Sequence, residues 1–162
     1  MIGDLAGLLQ ALGRNEVRYI LVGGAAAVAH GSARLTQDVD VVYARDPDNV
    51  TRLVAALAPA HPYPRGAPPG LPFQWDERTV RNGLNFTLQT DLGAIDLFGE
   101  ITGGRDYPDL LPHSFEVTVF GVACRILGLE KLIEVKRAAG RPKDYEAVAE
   151  LEAILERERR GR

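Results

Sequence analysis

The chain has 162 residues, 46% hydrophobic and 25% charged, with a net charge of −3. That balance fits one globular domain able to bury a core, and it excludes binding of polyanions by bulk attraction. The lone Cys124, inside the apolar run Phe120 to Cys124, excludes an intrachain disulfide and a multi-thiolate zinc site and reads as a buried residue in a reducing compartment. Met1-Ile2-Gly3-Asp4 has no basic region or long apolar run, and no stretch approaches a membrane span, so the expected location is cytoplasmic with no membrane partner.

Leu5, Leu8, Leu9 and Leu12 recur at helical spacing, with Gly13 as a stop. Val17 to Val22 then reads as a buried strand ending in Gly23-Gly24. Ala25 to His30 is alanine-rich and predicts a helix, and the β-branched run Val39 to Tyr43 predicts a second strand. Asp46-Pro47 has the form of a cap followed by proline at the first helical position, opening a helix to about Leu57. From Pro59 to Pro72 the chain carries six of its ten prolines, which predicts a long irregular loop, either a functional lid or an insertion. Thr79 to Arg81, Leu84 to Gln89 and Ala94 to Phe98 read as strands, the last two joined by a hairpin through Thr90 to Gly93. Phe115 to Phe120 and Val122 to Leu127 read as a pair turning at Gly121. Two helices, Leu129 to Ala139 and Lys143 to Arg159, flank Gly140-Arg141-Pro142.

Two features carry chemistry. Gly23-Gly24 at a strand-to-helix junction can bring backbone amides close to phosphate, although such glycines also serve purely conformational ends. Side chains alternate across a strand, so Asp38 and Asp40 share one face while Val39 and Val41 take the other, as two ligands to a common metal centre require. Asp96 sits between Ile95 and Leu97, where an unpaired carboxylate would be costly, so a cation or strong hydrogen-bond donors are expected beside it. The glycines fit neither a P-loop nor the dinucleotide fingerprint.

These residues resemble the nucleotidyltransferase superfamily related to DNA polymerase beta: Val22-Gly23-Gly24, Asp38-Val39-Asp40-Val41 and Ile95-Asp96-Leu97 follow its order. Gly23-Gly24-Ala25-Ala26, Ala29-His30-Gly31, Arg34 and Thr36, with the tail Leu132-Ile133, Lys136 and Arg141-Pro142-Lys143-Asp144, are most similar to the AbiEii-type small bacterial members. Two positions depart from that pattern, Gly24 where many relatives carry serine and Lys131 where an acidic residue is frequent.

The resemblance implies an α/β (α+β) polymerase beta-like fold, a mixed central sheet flanked by helices. A single domain over 1–162 would have its core at about 15–127 and a C-terminal helical motif at about 128–160. It implies transfer of a nucleoside monophosphate from a nucleoside triphosphate to an acceptor hydroxyl on RNA, protein or a small molecule. Asp38, Asp40 and Asp96 would hold two Mg2+ ions, with Mn2+ as a substitute, and Asp96 would assist deprotonation of the acceptor. Gly23, Gly24, Arg34, Thr36 and Lys136 would meet the triphosphate. Lys143, Asp144 and His30 are secondary candidates, with surface exposure, helix capping and packing as their respective alternatives. A toxin with an antitoxin partner, a non-catalytic nucleotide- or partner-binding module of such a pair, and an antibiotic-modifying nucleotidyltransferase share this residue pattern.

Overall fold

A computed structural model describes residues 3–33, 36 and 38–161. Its centre is a seven-stranded mixed sheet in the order β3-β4-β5-β2-β1-β7-β6. In chain order the strands are β1 (Tyr19–Val22), β2 (Asp38–Tyr43), β3 (Tyr63–Pro64), β4 (Asn85–Thr90), β5 (Gly93–Phe98), β6 (Ser114–Val119) and β7 (Val122–Leu127). The helices are α1 (Leu5–Arg14), α2 (Gly23–Ala29), α3 (Pro47–Leu57), α4 (Glu77–Asn82), α5 (Tyr107–Leu110), α6 (Leu129–Ala139) and α7 (Pro142–Arg160). Among the described residues no helix is long and apolar enough to cross a membrane.

Local chemistry accounts for most of these boundaries. Asp46 caps α3 by accepting a hydrogen bond from the Asn49 amide at 3.1 Å, and Pro47 occupies the first turn, where its missing N–H costs nothing. The β6–β7 hairpin turns on Phe120 and Gly121, both at positive φ, as a two-residue connection that matches strand twist demands. Gly140, at φ +69°, ends α6 in the left-handed conformation.

Two segments differ from the sequence expectation. Thr79 to Arg81 lies in helix α4 rather than in a strand. Asp76 accepts from the Thr79 amide at 2.8 Å and starts the helix, and Val80 turns fully into the core. A good cap and one buried contact outweigh the strand preference of Thr-Val. Within the proline-rich stretch, Tyr63–Pro64 forms the edge strand β3 against Leu88 and Gln89, a place where proline is tolerated because its missing N–H need not serve an inner ladder.

The core joins Leu8, Leu9 and Leu12 of α1 with Leu53 and Leu57 of α3 and the fully buried Val39 and Val41 of β2. Asn49 is a polar side chain buried beside it, an amide with no exposure. Its Oδ1 accepts from the Arg18 amide at 2.7 Å, and its Nδ2 donates to the carbonyls of Arg18 at 3.0 Å and Ala44 at 2.7 Å. This side chain clips the start of β1 to the end of β2, at the other end of the strand pair from Val22 and Asp40.

Candidate functional site

Strand register builds the site. β1 and β2 run antiparallel with Val22 opposite Asp40, and β2 and β5 run parallel with Asp40 opposite Asp96. Register partners share a face, so the Asp40 carboxylate stands between the end of β1 and Asp96, and Asp38 lies two residues away on that same face. Gly23 follows Val22 at φ +67°, and a Cβ there would collide with the Asp40 carboxylate. The glycine is thus required twice, by its backbone conformation and by the acid beside it.

Like charges dominate the local field. Burial first, and then the adjoining Asp96 and Asp38, push the Asp40 carboxyl up to about 7, with Lys136 pulling against them. Asp96 faces a cation on its other side: its Oδ1 accepts from Arg65 Nη2 at 2.6 Å. Among the described residues no three His, Cys, Asp or Glu side chains are gathered as a cage for a metal ion. The donor set is nevertheless all carboxylate oxygen, the chemistry a hard divalent cation prefers, and the lack of a side chain on Gly23 gives the Asp40 carboxylate its place.

A cavity of about 370 Å³ adjoins this cluster, with Gly23, Asp40, Lys136, Arg141 and Asp144 in its wall. Burial lowers the pKa of Lys136, against the opposing attraction of Asp144 and Asp40. Asp144 is almost wholly buried. Its Oδ2 accepts from the Arg141 amide at 3.1 Å and from Arg141 Nε at 2.6 Å, which caps α7 and ties down the guanidinium. Burial pushes the Asp144 carboxyl up, yet the Arg141 hydrogen bonds and the Lys136 charge more than offset it and hold the group below the ordinary carboxylate range. Asp144 therefore acts both as a cap and as the fixed counter-charge for two cations.

No protein-family model matches the sequence, and no curated protein sequence does. Among solved structures, the chain is similar to an antigenic nucleotidyltransferase-like protein from Paracoccidioides brasiliensis. The two are 18% identical with a TM-score of 0.53, over 91% of this chain and 72% of the other. The likeness is one of fold.

Within that fold the expected residues divide. Asp38, Asp40, Asp96, Gly23 and Lys136 converge on one end of the central strands. Thr36 lies next to Gly24: a Cβ added to Gly24 would stand 2.7 Å from Thr36 Oγ1, which itself donates to the Asp38 carbonyl at 3.1 Å. The Thr36 hydroxyl thus fills the space a serine side chain at position 24 would need. Lys143 is exposed at the start of α7. His30 is engaged elsewhere: its Nε2 donates to the Leu127 carbonyl at 2.8 Å, and its ring meets Phe115 edge-on, so it clamps α2 to the end of β7. Arg34 lies outside the described residues.

Arg65 is the site residue that pattern reading missed. Apart from His61 it is the only Lys, Arg, His, Asp or Glu from Ala58 to Trp75, and a lone cation in a proline-rich stretch was the available signal. What pattern could not supply is the pairing of Tyr63–Pro64 with β4 that carries it to Asp96.

Proposed function

We propose that the chain is a metal-dependent nucleotidyltransferase that moves a nucleoside monophosphate from a nucleoside triphosphate to an acceptor hydroxyl and releases pyrophosphate. The observation that carries this reading is the place of Asp40, in register with Val22 on one side and Asp96 on the other, which gathers a glycine turn and three carboxylates from three adjacent strands.

In this reading Asp38 and Asp40 hold a divalent cation, Mg2+ or Mn2+. When bound, the cation neutralises triphosphate charge and stabilises the leaving pyrophosphate. Gly23 and Gly24 place the strand-to-helix turn beside the carboxylates, while Lys136 and Arg141, anchored by Asp144, supply fixed positive charge along the same cavity. Asp96, on the strand beyond Asp40, receives the proton of the acceptor hydroxyl. Positioning and charge stabilisation are most of what phosphoryl transfer asks of a protein. The acceptor is a hydroxyl of RNA, protein or a small molecule, and the AbiEii-like motifs favour the toxin of a toxin–antitoxin pair acting in the cytoplasm.

The test is incubation of the protein with Mg2+, each alpha-labelled triphosphate in turn, total RNA, cell protein and the small-molecule fraction. Label should pass to one of these acceptor classes, with pyrophosphate release, and both should be lost in Asp38→Asn. Absence of label on every acceptor, with Asp38→Asn indistinguishable from wild type, sinks the enzyme reading. Saturable nucleotide binding without pyrophosphate release would identify a binding module instead.

A further inference from the structure

Arg65 is held at three points. Its backbone amide donates to the Thr87 carbonyl at 2.9 Å, and its Nη2 donates both to the Leu88 carbonyl at 2.9 Å and to Asp96 Oδ1 at 2.6 Å. Both partners of the ion pair are largely withdrawn from solvent, with 30% of the Arg65 side chain and 20% of the Asp96 side chain exposed. Arg65 Nε is buried and has no hydrogen-bond partner, so the side chain sits where it does without all of its donors satisfied. A surface arginine would place those donors in water. The position is imposed by β3, which lays Tyr63–Pro64 along β4 directly across from the strand that carries Asp96.

Three carboxylates on neighbouring register positions need positive charge, and this chain brings some of its own. Lys136 approaches Asp40 from α6, and Arg65 approaches Asp96 from β4's outer side. A guanidinium on Asp96 Oδ1 supplies that carboxylate with positive charge without a second metal, and among the described residues no three-ligand cage is assembled.

We infer that Arg65 is the positioning residue of the third carboxylate, and that its guanidinium stands in for one of two cations, so that the site takes a single divalent ion at Asp38 and Asp40 and reserves Asp96 for the acceptor. This rests on the metal-dependent reading above. It changes the stoichiometry from the two ions that the sequence resemblance implies to one, and it gives the proline-rich segment a role: it delivers a cation rather than covering the cleft.

The experiment is a titration of the purified full chain with Mn2+ alone at pH 8, read by loss of the free-ion electron paramagnetic signal, with circular dichroism confirming the fold of each variant. Wild type should bind one Mn2+ per chain. Arg65→Ala should bind a second ion or bind the first roughly fivefold tighter or more, the scale of a direct coupling between neighbouring sites. Arg65→Lys, which keeps the charge, should stay within about twofold of wild type on the same scale. In an Asp96→Asn background Arg65→Ala should have no further effect, because the carboxylate it releases is gone. If Arg65→Ala does not fold, Arg65→Gln carries the same expectations. Two ions bound by wild type, or an Arg65→Ala effect that survives in Asp96→Asn, overturns the assignment of Arg65 while leaving the metal site standing. No Mn2+ binding by wild type overturns the metal reading and this inference with it.

Discussion

The carboxylate of Asp40 occupies the space a side chain on Gly23 would need. Gly23 also has φ +67°, where an L-residue with a Cβ is strained by roughly 1–2 kcal/mol. Gly23→Ala should therefore lower stability by at least that much, since Asp40 must also move. Urea denaturation checks it, and a loss well under about 1 kcal/mol would show that the turn relaxes without strain. Gly121→Ala is the control: it shares the positive φ of +76°, but no atom lies near its Cβ position, so only the backbone penalty should remain.

Asp40 should give the stability of the metal-free protein an unusual pH dependence. Its folded pKa, about 7, lies above the ordinary value of 3.8, so the folded chain binds this proton more tightly than the unfolded chain does. The resulting stabilisation is complete below about pH 4 and is lost as pH rises through about 7, on the order of a few kcal/mol. Other carboxylates contribute slopes of opposite sign, so the measurement is the difference in urea midpoint between wild type and Asp40→Asn from pH 4 to 8. That difference should move in favour of Asp40→Asn as pH rises. A difference independent of pH would show that neither burial nor the neighbouring acids raise the Asp40 carboxyl. Mg2+ at pH 8 should stabilise wild type and leave Asp40→Asn nearly unchanged.

Thr36 and Gly24 should behave as an exchangeable pair. Gly24→Ser places its side chain against Thr36 Oγ1, where a Cβ would already be at 2.7 Å, and should cost about 1–3 kcal/mol as an overpacked contact. Adding Thr36→Ala should recover most of that loss, because it vacates the space the serine needs. Thermal denaturation of the two single variants and the double variant reads this coupling, and strictly additive effects would contradict it.

Asn49 satisfies backbone groups of two strands from inside the core. Asn49→Ala leaves the Arg18 amide and the Ala44 carbonyl without those bonds and should cost about 3 kcal/mol. Because the clip is at the opposite ends of β1 and β2 from Gly23 and Asp40, the variant should also loosen the site, seen as faster amide hydrogen exchange along β1. A loss under about 1 kcal/mol, or exchange unchanged in β1, would show that the strands hold their register without it.

What could be read in the sequence was whatever depends on short spacing. Alternation placed Asp38 and Asp40 on one face of a strand, Asp46-Pro47 and Gly140-Arg141-Pro142 marked helix ends, and Gly121 marked a hairpin, because each rests on neighbours only a few residues apart. Asp96 was legible for a different reason: a carboxylate inside an apolar run has to be answered by something. The identity of the answering group was not legible, since Arg65 is 31 residues away and reaches Asp96 only through the β3–β4–β5 order. Thr79 to Arg81 was misread as a strand because Asp76, a capping residue three positions earlier, decides the matter. Histidine is a residue type that catalysis often uses, but the bond from His30 to Leu127 spans 97 residues, and only the folded chain reveals that commitment.

β3 has one more consequence. A strand at the end of a sheet exposes a row of free backbone donors and acceptors, a template on which another chain can add. Here the last strand on the Asp96 side is two residues long, and one of them, Pro64, has no N–H to offer. The segment that brings Arg65 inward therefore also ends the sheet on that side with a strand that offers little backbone for another chain to pair with.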